Sequence, residues 1–174
     1  MKILVAVASK HGSTYEIAQA IADEINAAGF TADLRQINQN PHLPGYDAAV
    51  IGSAVYMGRW LSDAQTYLKD NQEELLDMPV WLFSSGPLGN DLSEMETEEE
   101  PYNIDELIAQ TRARDHQVFV GKLDKAKLGL GEKLVVRMVK SPVGDFRDWT
   151  AVREWASKII DALVPVAVPS VGLS

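Results

Sequence analysis

The fold of this chain is decided by Ile3-Leu4-Val5-Ala6-Val7-Ala8-Ser9-Lys10-His11-Gly12-Ser13-Thr14. The first six residues form a continuous apolar run, which is typical of a strand buried on both faces. The last six are small or polar, and apolar residues then recur on one helical face: Ile17, Ala18, Ile21, Ala22, Ile25 and Ala28. Ser13 and Glu16 match a capping box at the start of this helix, and Gly29 predicts its end. The stretch therefore predicts a buried strand, a tight polar loop and a helix.

The same alternation of strand and helix recurs along the chain. Further strands are predicted at Thr31 to Ile37, Asp47 to Ser53, Pro79 to Ser85 and within His116 to Gly121. Helical stripes are formed by Leu61, Ala64, Tyr67 and Leu68, by Ile104, Leu107, Ile108 and Thr111, and by Val152, Ala156, Ile159, Ile160 and Leu163. Asp148 predicts a cap for the last helix. The alternation predicts an α/β fold, a doubly wound parallel sheet of five strands in three layers.

Length and composition limit the class of protein. The chain has 174 residues with a formal net charge of −9, and an acidic chain of this size does not fit a nucleic-acid binder. It contains no cysteine, which excludes disulfides, thiolate catalysis and cysteine-bound metal clusters. We find no targeting or membrane-spanning pattern and expect a cytoplasmic protein. Residues 1–165 are predicted to be a single domain with an insertion at about 121–147, followed by a frayed tail at 166–174.

The charge is unevenly distributed along the sequence. Five carboxylates lie within residues 94–100, whereas residues 122–140 carry six basic and two acidic side chains, 6 − 2 = +4. Leu130, Leu134 and Met138 recur every four residues in the basic segment. One interpretation is a basic amphipathic helix that contacts a membrane surface or an acidic partner. The other is a core-packed helix with lysines that reach to solvent.

The first polar loop, residues 9–14, has the chemistry of an anion site. It lies between a buried strand and a helix N-terminus, and it offers hydroxyl groups at Ser9, Ser13 and Thr14. Backbone N–H groups and the helix dipole favour a phosphate at such a position. The spacing matches neither a P-loop nor a dinucleotide-binding fingerprint. The alternative is that Ser13 and Thr14 only cap the helix.

Two further loops follow the predicted third and fourth strands. In the loop at 53–60, small residues would allow a planar ring to approach, Tyr56 and Trp60 could stack on it, and Gly58 would permit an unusual turn. The loop at 84–90 combines hydroxyls, glycines and a proline, which suits a backbone that hydrogen-bonds a ring edge. The alternatives are aromatic side chains packed on the next helix and a plain surface turn. In open α/β sheets, such loops meet at the ligand site.

These loops, in this order and spacing, resemble those of the flavodoxin family over residues 1–165. The resemblance rests on Ser9 to Thr14, on the Ile51 to Gly58 segment, and on the Ser-Ser-Gly-Pro-Leu sequence at 84–88. Within the family, the chain is most similar to the flavodoxin-like domain of menaquinone-dependent protoporphyrinogen dehydrogenases, which the long segment after strand five also resembles. The resemblance implies the strand order 2-1-3-4-5 with an insertion after strand five.

The resemblance also implies FMN as cofactor. The matching phosphate-loop residues are Ser9, Lys10, His11, Gly12, Ser13 and Thr14. The matching residues beside the flavin ring are Ala54, Val55, Tyr56, Met57 and Gly58, and those on its pyrimidine side are Ser85, Gly86, Pro87, Leu88 and Gly89. Because flavin carries the redox chemistry, we expect no catalytic protein residue. We also expect no metal, because His11, His42 and His116 have no ligand spacing. We further expect a backbone carbonyl of the Tyr56-Met57-Gly58 turn to flip toward N5–H of reduced flavin.

The function expected from this resemblance is that of an FMN-dependent oxidoreductase, linked to protoporphyrinogen or quinone. The alternative is a non-enzymatic electron carrier between redox proteins. The partner would be a quinone or a redox protein, with membrane contact through residues 122–140. A quinone reductase that uses a nicotinamide cofactor stays open, whereas a signalling receiver is disfavoured because Ser9, Lys10 and Ser53 stand where it would need acidic residues.

Overall fold

The computed structural model describes residues 1–86, 101–123, 144–145 and 147–164. The strands are β1 (Lys2–Ala8), β2 (Thr31–Gln36), β3 (Ala48–Tyr56), β4 (Arg59–Trp60), β5 (Val80–Ser85), β6 (Asp115–Phe119), β7 (Lys122–Leu123) and β8 (Gly144–Asp145). The helices are α1 (Ser13–Ala27), α2 (Ser62–Asp70), α3 (Gln72–Leu76), α4 (Ile104–Thr111) and α5 (Trp149–Leu163), with a 3-10 turn at Ile37–Gln39. The predicted alternation of strands and helices is confirmed.

The main sheet has the order β2-β1-β3-β5-β6, and all of these neighbours are parallel. Counted as parallel strands alone, this is the predicted order 2-1-3-4-5. β4 adds to β3 in antiparallel orientation. After β6, the antiparallel pair β7 and β8 brings the two ends of residues 124–143 together, which confirms an insertion after the fifth parallel strand.

The sheet is buried on both faces because its central strands β1, β3 and β5 are mostly apolar, and the serines that they contain are buried as well. One face, with Ile3, Val5 and Val7 of β1, packs against α1 and α5. The other face, with Leu4 and Ala6, packs against α2, α3 and α4. This explains why β1 is a continuous apolar run rather than an alternating one. The result is the predicted arrangement of three layers.

Helix α1 starts differently from the prediction and ends as predicted. The predicted capping box is wrong, because the N-cap is Gly12 in a left-handed conformation and no side chain caps the helix. Glu16 instead forms an ion pair with Arg147, whose side chain is 4% exposed. The predicted stop is confirmed: Gly29 has φ 87°, and its N–H donates to the carbonyl of Asn26. Ala28, predicted on the buried stripe, is exposed at the C-cap.

The last helix begins as predicted. The Asp148 carboxylate accepts hydrogen bonds from the N–H groups of Thr150 and Ala151, at 2.8 and 3.0 Å. These bonds satisfy two donors that have no partner within the helix. Just before the cap, the Arg147 guanidinium lies 4.5 Å from the ring centroid of Trp149. The chain that returns from the insertion is therefore attached to both α1 and α5.

The predicted loop at 53–60 is wrong as a description of the backbone. β3 continues to Tyr56 instead of ending at Ser53, and it turns directly into β4. Val55 pairs with Trp60 and Tyr56 with Arg59, so residues 55–60 form a tight hairpin. Valine, tyrosine and tryptophan are favourable strand residues, which explains the extension.

Several predictions fall on other parts of the chain. The acidic patch at 94–100, most of the basic segment 122–140 and the tail at 166–174 lie outside the described residues. Of the basic segment, the structure gives the backbone of Lys122–Leu123 in β7. In the described part of the chain, no helix combines the length and apolar character needed to cross a membrane.

Candidate functional site

The parallel register brings the predicted site segments to one edge of the sheet. Ala8 is level with Ser53, Ala54 is level with Ser85, and Ser85 is level with Phe119. The carboxyl ends of β1, β3, β5 and β6 therefore lie side by side. Residues that follow these strands are neighbours in space, as expected for a ligand site in an open α/β sheet.

The first loop is folded around Gly12. Its φ of 89° is a left-handed conformation that glycine adopts without strain. The Gly12 N–H donates to Ser9 Oγ at 3.1 Å, and its carbonyl accepts from the N–H of Glu16 at 3.0 Å. The loop thus ends directly at the N-terminus of α1, where the helix dipole favours an anion. Thr14 is buried in the first turn, whereas Ser13 is half-buried.

The first loop and the β3–β4 hairpin meet across the site. The ammonium group of Lys10 lies 4.7 Å from the centroid of the Tyr56 ring. This is within the range of a cation–π contact. His11, half-buried, follows Lys10 in the loop. The contact connects the predicted phosphate loop to the predicted flavin-ring segment.

The turn of the hairpin has an unusual backbone. Both of its central residues have positive φ, 51° at Met57 and 73° at Gly58. A two-residue hairpin with both values positive is a type I′ turn. Tyr56 is 44% exposed and Met57 is 84% exposed, so the turn presents apolar side chains to solvent. Ala54 is half-buried and Val55 is buried beneath them.

Trp60, predicted to stack on a ring, is instead a core residue. It is buried, and its indole N–H donates to Ser84 Oγ at 2.7 Å. Ser84 Oγ also lies 2.8 Å from Nε2 of His116, so one hydroxyl joins β4, β5 and β6. Sequence reasoning missed this chain of side chains, because the three residues are far apart in the sequence. The small Ser53 side chain is buried too, and its Oγ accepts from the Leu61 N–H.

The third segment supplies an unsatisfied hydroxyl. Ser85 Oγ is buried at the carboxyl end of β5 and has no hydrogen-bond partner among the described residues. Gly86 follows with φ 140°, and a Cβ on it would lie 3.1 Å from the Val55 carbonyl oxygen. A Cβ on Gly121 would lie 2.8 Å from the Gly86 Cα, so backbones pack closely here. Pro87, Leu88 and Gly89 lie outside the described residues.

Tyr102, which lies shortly before α4, also reaches this edge, and no local sequence pattern predicted it. The Tyr102 N–H donates to the Gly58 carbonyl at 3.0 Å. Its ring covers Gly58, because a Cβ there would lie 2.3 Å from Tyr102 Cε2. Asn103 is buried, and neither polar atom of its side chain has a partner among the described residues.

The site thus combines an anion-binding helix start, an exposed aromatic ring and a buried hydroxyl with spare hydrogen-bonding capacity. Within the described residues, no group of three or more His, Asp and Glu side chains could hold a metal ion. These features fit a ligand with a phosphate at one end and a planar polar ring at the other.

The comparison with protein families agrees with this geometry. The Flavodoxin domain family matches residues 4–150. The chain belongs to the flavodoxin family. The matched range includes β1 through β6 and therefore all the strands whose carboxyl ends form the site.

The individual relatives and solved structures that match the chain have low sequence identity to it. Protoporphyrinogen IX dehydrogenase [quinone] of Escherichia coli K12 is 23% identical over an alignment of 171 positions, and the match covers 91% of this chain and 94% of that protein. Oxidised Flavodoxin 1 from Bacillus cereus superposes with a TM-score of 0.63 at 16% identity, over 94% of this chain and 100% of that chain. Rubredoxin oxygen:oxidoreductase from Desulfovibrio gigas gives a TM-score of 0.61 at 16% identity, over 93% of this chain and 36% of that one. The two structures share the fold with this flavodoxin-family chain.

Proposed function

We propose that this flavodoxin-family protein binds FMN across the carboxyl ends of β1, β3 and β5 and acts as an FMN-dependent oxidoreductase. The observation that carries the proposal is the convergence of three segments at one edge of the sheet. Gly12 starts α1, Lys10 of the same loop contacts the Tyr56 ring, and the unsatisfied Ser85 hydroxyl lies one strand further along. Membership of the flavodoxin family supports the same cofactor.

The residues of the site divide by the part of FMN that they would contact. Residues 9–14 would hold the phosphate with backbone N–H groups and hydroxyls at the N-terminus of α1. Residues 54–58 would flank the flavin ring, with the exposed ring of Tyr56 available for stacking. Residues 85–89 would contact the polar edge of the ring, and Ser85 brings a buried hydroxyl to it. The bound flavin supplies the electron chemistry, while these residues bind and orient it.

FMN retention by purified protein tests the cofactor. We expect flavin absorbance to stay with the protein through a desalting column after incubation with FMN. Gly12→Asp places a carboxylate beside the proposed phosphate and should weaken FMN binding about tenfold or more, whereas Gly12→Asn has the same shape without the charge. Riboflavin, which lacks the phosphate, should not distinguish the two variants.

A matched control is Gly45→Asp. Gly45 also has a left-handed φ, 96°, and a Cβ there meets nothing within 4 Å. This variant adds the same charge and the same backbone strain away from the site, so it should retain FMN. Equal loss of FMN in the Gly12 and Gly45 variants, or free passage of FMN from the unaltered protein, would contradict the proposed site.

The proposed reaction is oxidation of a protoporphyrinogen-type substrate by a quinone. The supporting observation is the end-to-end similarity to the E. coli dehydrogenase, over 91% of this chain and 94% of that protein. Each pair of hydrogens lost by the substrate would reduce one quinone to its quinol, so that several quinones are used per porphyrin formed and electrons and protons balance. The alternative is an electron carrier between redox proteins, which the flavodoxin fold also supports.

Anaerobic turnover of the FMN-loaded protein distinguishes the two functions. We expect porphyrin fluorescence to appear with protoporphyrinogen and a quinone, at a rate proportional to protein concentration. FMN-free protein should give only the background rate, and at limiting FMN the Gly12→Asp variant should turn over more slowly than the unaltered protein. A loaded protein that exchanges electrons with redox proteins but gives only background porphyrin formation would favour the carrier instead.

A further inference from the structure

The Met57–Gly58 turn has a backbone that resists rotation of its central peptide. In the type I′ turn seen here, Met57 is the first central residue and has φ 51°. Rotation of the peptide between Met57 and Gly58 would produce a type II′ turn, which strongly prefers glycine at the first central position. Methionine has a Cβ that clashes in that conformation. The carbonyl flip expected from the sequence is therefore opposed by the residue at position 57.

Tyr102 holds the same turn from outside the hairpin. Its N–H donates to the Gly58 carbonyl at 3.0 Å and so fixes the peptide that directly follows the Met57–Gly58 peptide. Its ring covers the Cα of Gly58, where a Cβ would lie 2.3 Å from Cε2. Yet Tyr102 is 80% exposed, and its side chain therefore adds little to the core. The ring thus lies on the turn and is otherwise largely exposed to solvent.

The two sides of the hairpin are also fixed. Before the turn, the Tyr56 ring is in contact with the Lys10 ammonium. After the turn, Trp60 is anchored in the core by its hydrogen bond to Ser84. Residues on either side of the turn are thus attached to β1's loop and to β5.

We propose that Tyr102 is a positioning residue that keeps the Met57–Gly58 turn in one conformation whatever the redox state of the bound cofactor. This inference rests on the proposed binding of FMN at the site. A reduced flavin gains a hydrogen at N5, and a turn that rotated a carbonyl toward it would stabilise the one-electron-reduced flavin. A turn that cannot rotate does not stabilise the one-electron-reduced flavin, so the site favours transfer of electrons in pairs. That property suits quinone reduction better than one-electron transport.

Hydrogen exchange in FMN-free protein tests the clamp itself. The amide of residue 102 should be protected by its bond to Gly58, and Tyr102→Ala should raise its exchange rate about tenfold or more. Tyr102→Phe keeps the ring and should exchange like the unaltered protein. Equal exchange in the Ala and Phe variants would overturn the clamp, and this result does not depend on FMN binding.

Redox titration of the FMN-loaded protein tests the consequence. We expect little one-electron-reduced flavin at the midpoint in the unaltered protein. Met57→Gly should raise the ratio of one-electron-reduced flavin to the oxidised and fully reduced forms about five- to hundredfold. Arg112→Gly is the matched control. Arg112 also has a left-handed φ, 49°, but it lies at the far end of α4. It should titrate like the unaltered protein.

The outcomes separate the two proposals. If FMN does not bind, the proposed function fails, while hydrogen exchange still decides whether Tyr102 clamps the turn. If FMN binds and the unaltered protein already accumulates the one-electron form, with no increase in Met57→Gly, the locked turn is overturned. A rise confined to Met57→Gly and Tyr102→Ala supports it.

Discussion

Ser84 shows how much one hydroxyl group can organise in this protein. Its Oγ accepts a hydrogen bond from the Trp60 indole and lies within hydrogen-bond distance of His116, so it connects three strands beneath the site. It is fully buried, as is the neighbouring Ser85. The two serines differ in that Ser84 is satisfied within the protein and Ser85 is not. The two adjacent serines thus have different roles. Ser84 has a structural role, and we propose that Ser85 faces the ligand.

Replacement of Ser84 should destabilise the fold. Ser84→Ala removes the partner of a buried indole N–H, and we expect the free energy of unfolding to fall by about 1–3 kcal/mol. Urea denaturation followed by tryptophan fluorescence measures this loss. Ser157→Ala is the control, because its hydroxyl donates to the Arg153 carbonyl on an exposed helix face. It should change stability by about 0.5 kcal/mol or less, and equal losses in the two variants would contradict the role of Ser84.

At the scale of elements, the edge strand β2 is attached by polar contacts. The Asp33 carboxylate accepts a hydrogen bond from the Tyr46 hydroxyl at 2.6 Å and lies 2.8 Å from Nε of Arg35. Lys2 of β1 is 3.9 Å away. The Tyr46 hydrogen bond, followed by the Arg35 guanidinium, lowers the pKa of Asp33 below its ordinary value of 3.8. Ionised Asp33 therefore links β2 to the segment before β3.

The attachment of β2 should depend on pH. Because the folded-state pKa of Asp33 is depressed, its stabilising effect is fully present above the ordinary pKa of 3.8 and is lost as the pH falls through the lower folded value. Asp33→Asn should thus lower the free energy of unfolding at about pH 6, and the difference should shrink toward about pH 2. Asp161→Asn, an exposed carboxylate on α5, is the control. A difference for Asp33→Asn that stays constant with pH would contradict this prediction.

Elements were predictable where one local signal dominated. The continuous apolar run of β1 and the Asp148 cap of α5 are each decided by neighbouring residues, and both are as predicted. The capping box failed because Gly12 can adopt φ 89° and start α1 without a side-chain cap. The prediction of a loop at 53–60 was wrong because these residues form a hairpin. Its second strand, β4, is stabilised by Trp60, whose hydrogen-bond partner Ser84 lies 24 residues further along the chain.

At the scale of the whole molecule, the net charge of −9 is unevenly distributed along the sequence. Five acidic residues fall within 94–100, and the segment 122–140 carries +4, from 6 − 2. The pair of strands β7 and β8 brings the ends of residues 124–143 together. We propose that this basic segment contacts the anionic surface of a membrane, where a lipid-soluble quinone would be found.

A vesicle assay tests this contact. Lys133→Glu with Arg137→Glu should reduce flotation with anionic vesicles and slow turnover of vesicle-embedded quinone, because attraction to anionic lipid is lost. Turnover of a water-soluble quinone should be unchanged. Arg153→Glu with Lys158→Glu makes the same charge change on the exposed face of α5 and is the control. Equal vesicle binding by the two double variants would contradict a specific role for the basic segment.

The sequence by itself determined the fold class and the segments that meet at the site, whereas the order of the parallel strands was implied by the resemblance to the flavodoxin family. The fold class and the site segments follow from local patterns: buried strands are continuous apolar runs, helices have apolar stripes, and parallel strands bring the loops after them to one edge. Only the tertiary structure decided which side chains in those segments face the site. Trp60 is buried by a bond to β5, whereas Tyr102 reaches Gly58 from the start of α4. Such contacts depend on residues distant in sequence, so no local pattern encodes them.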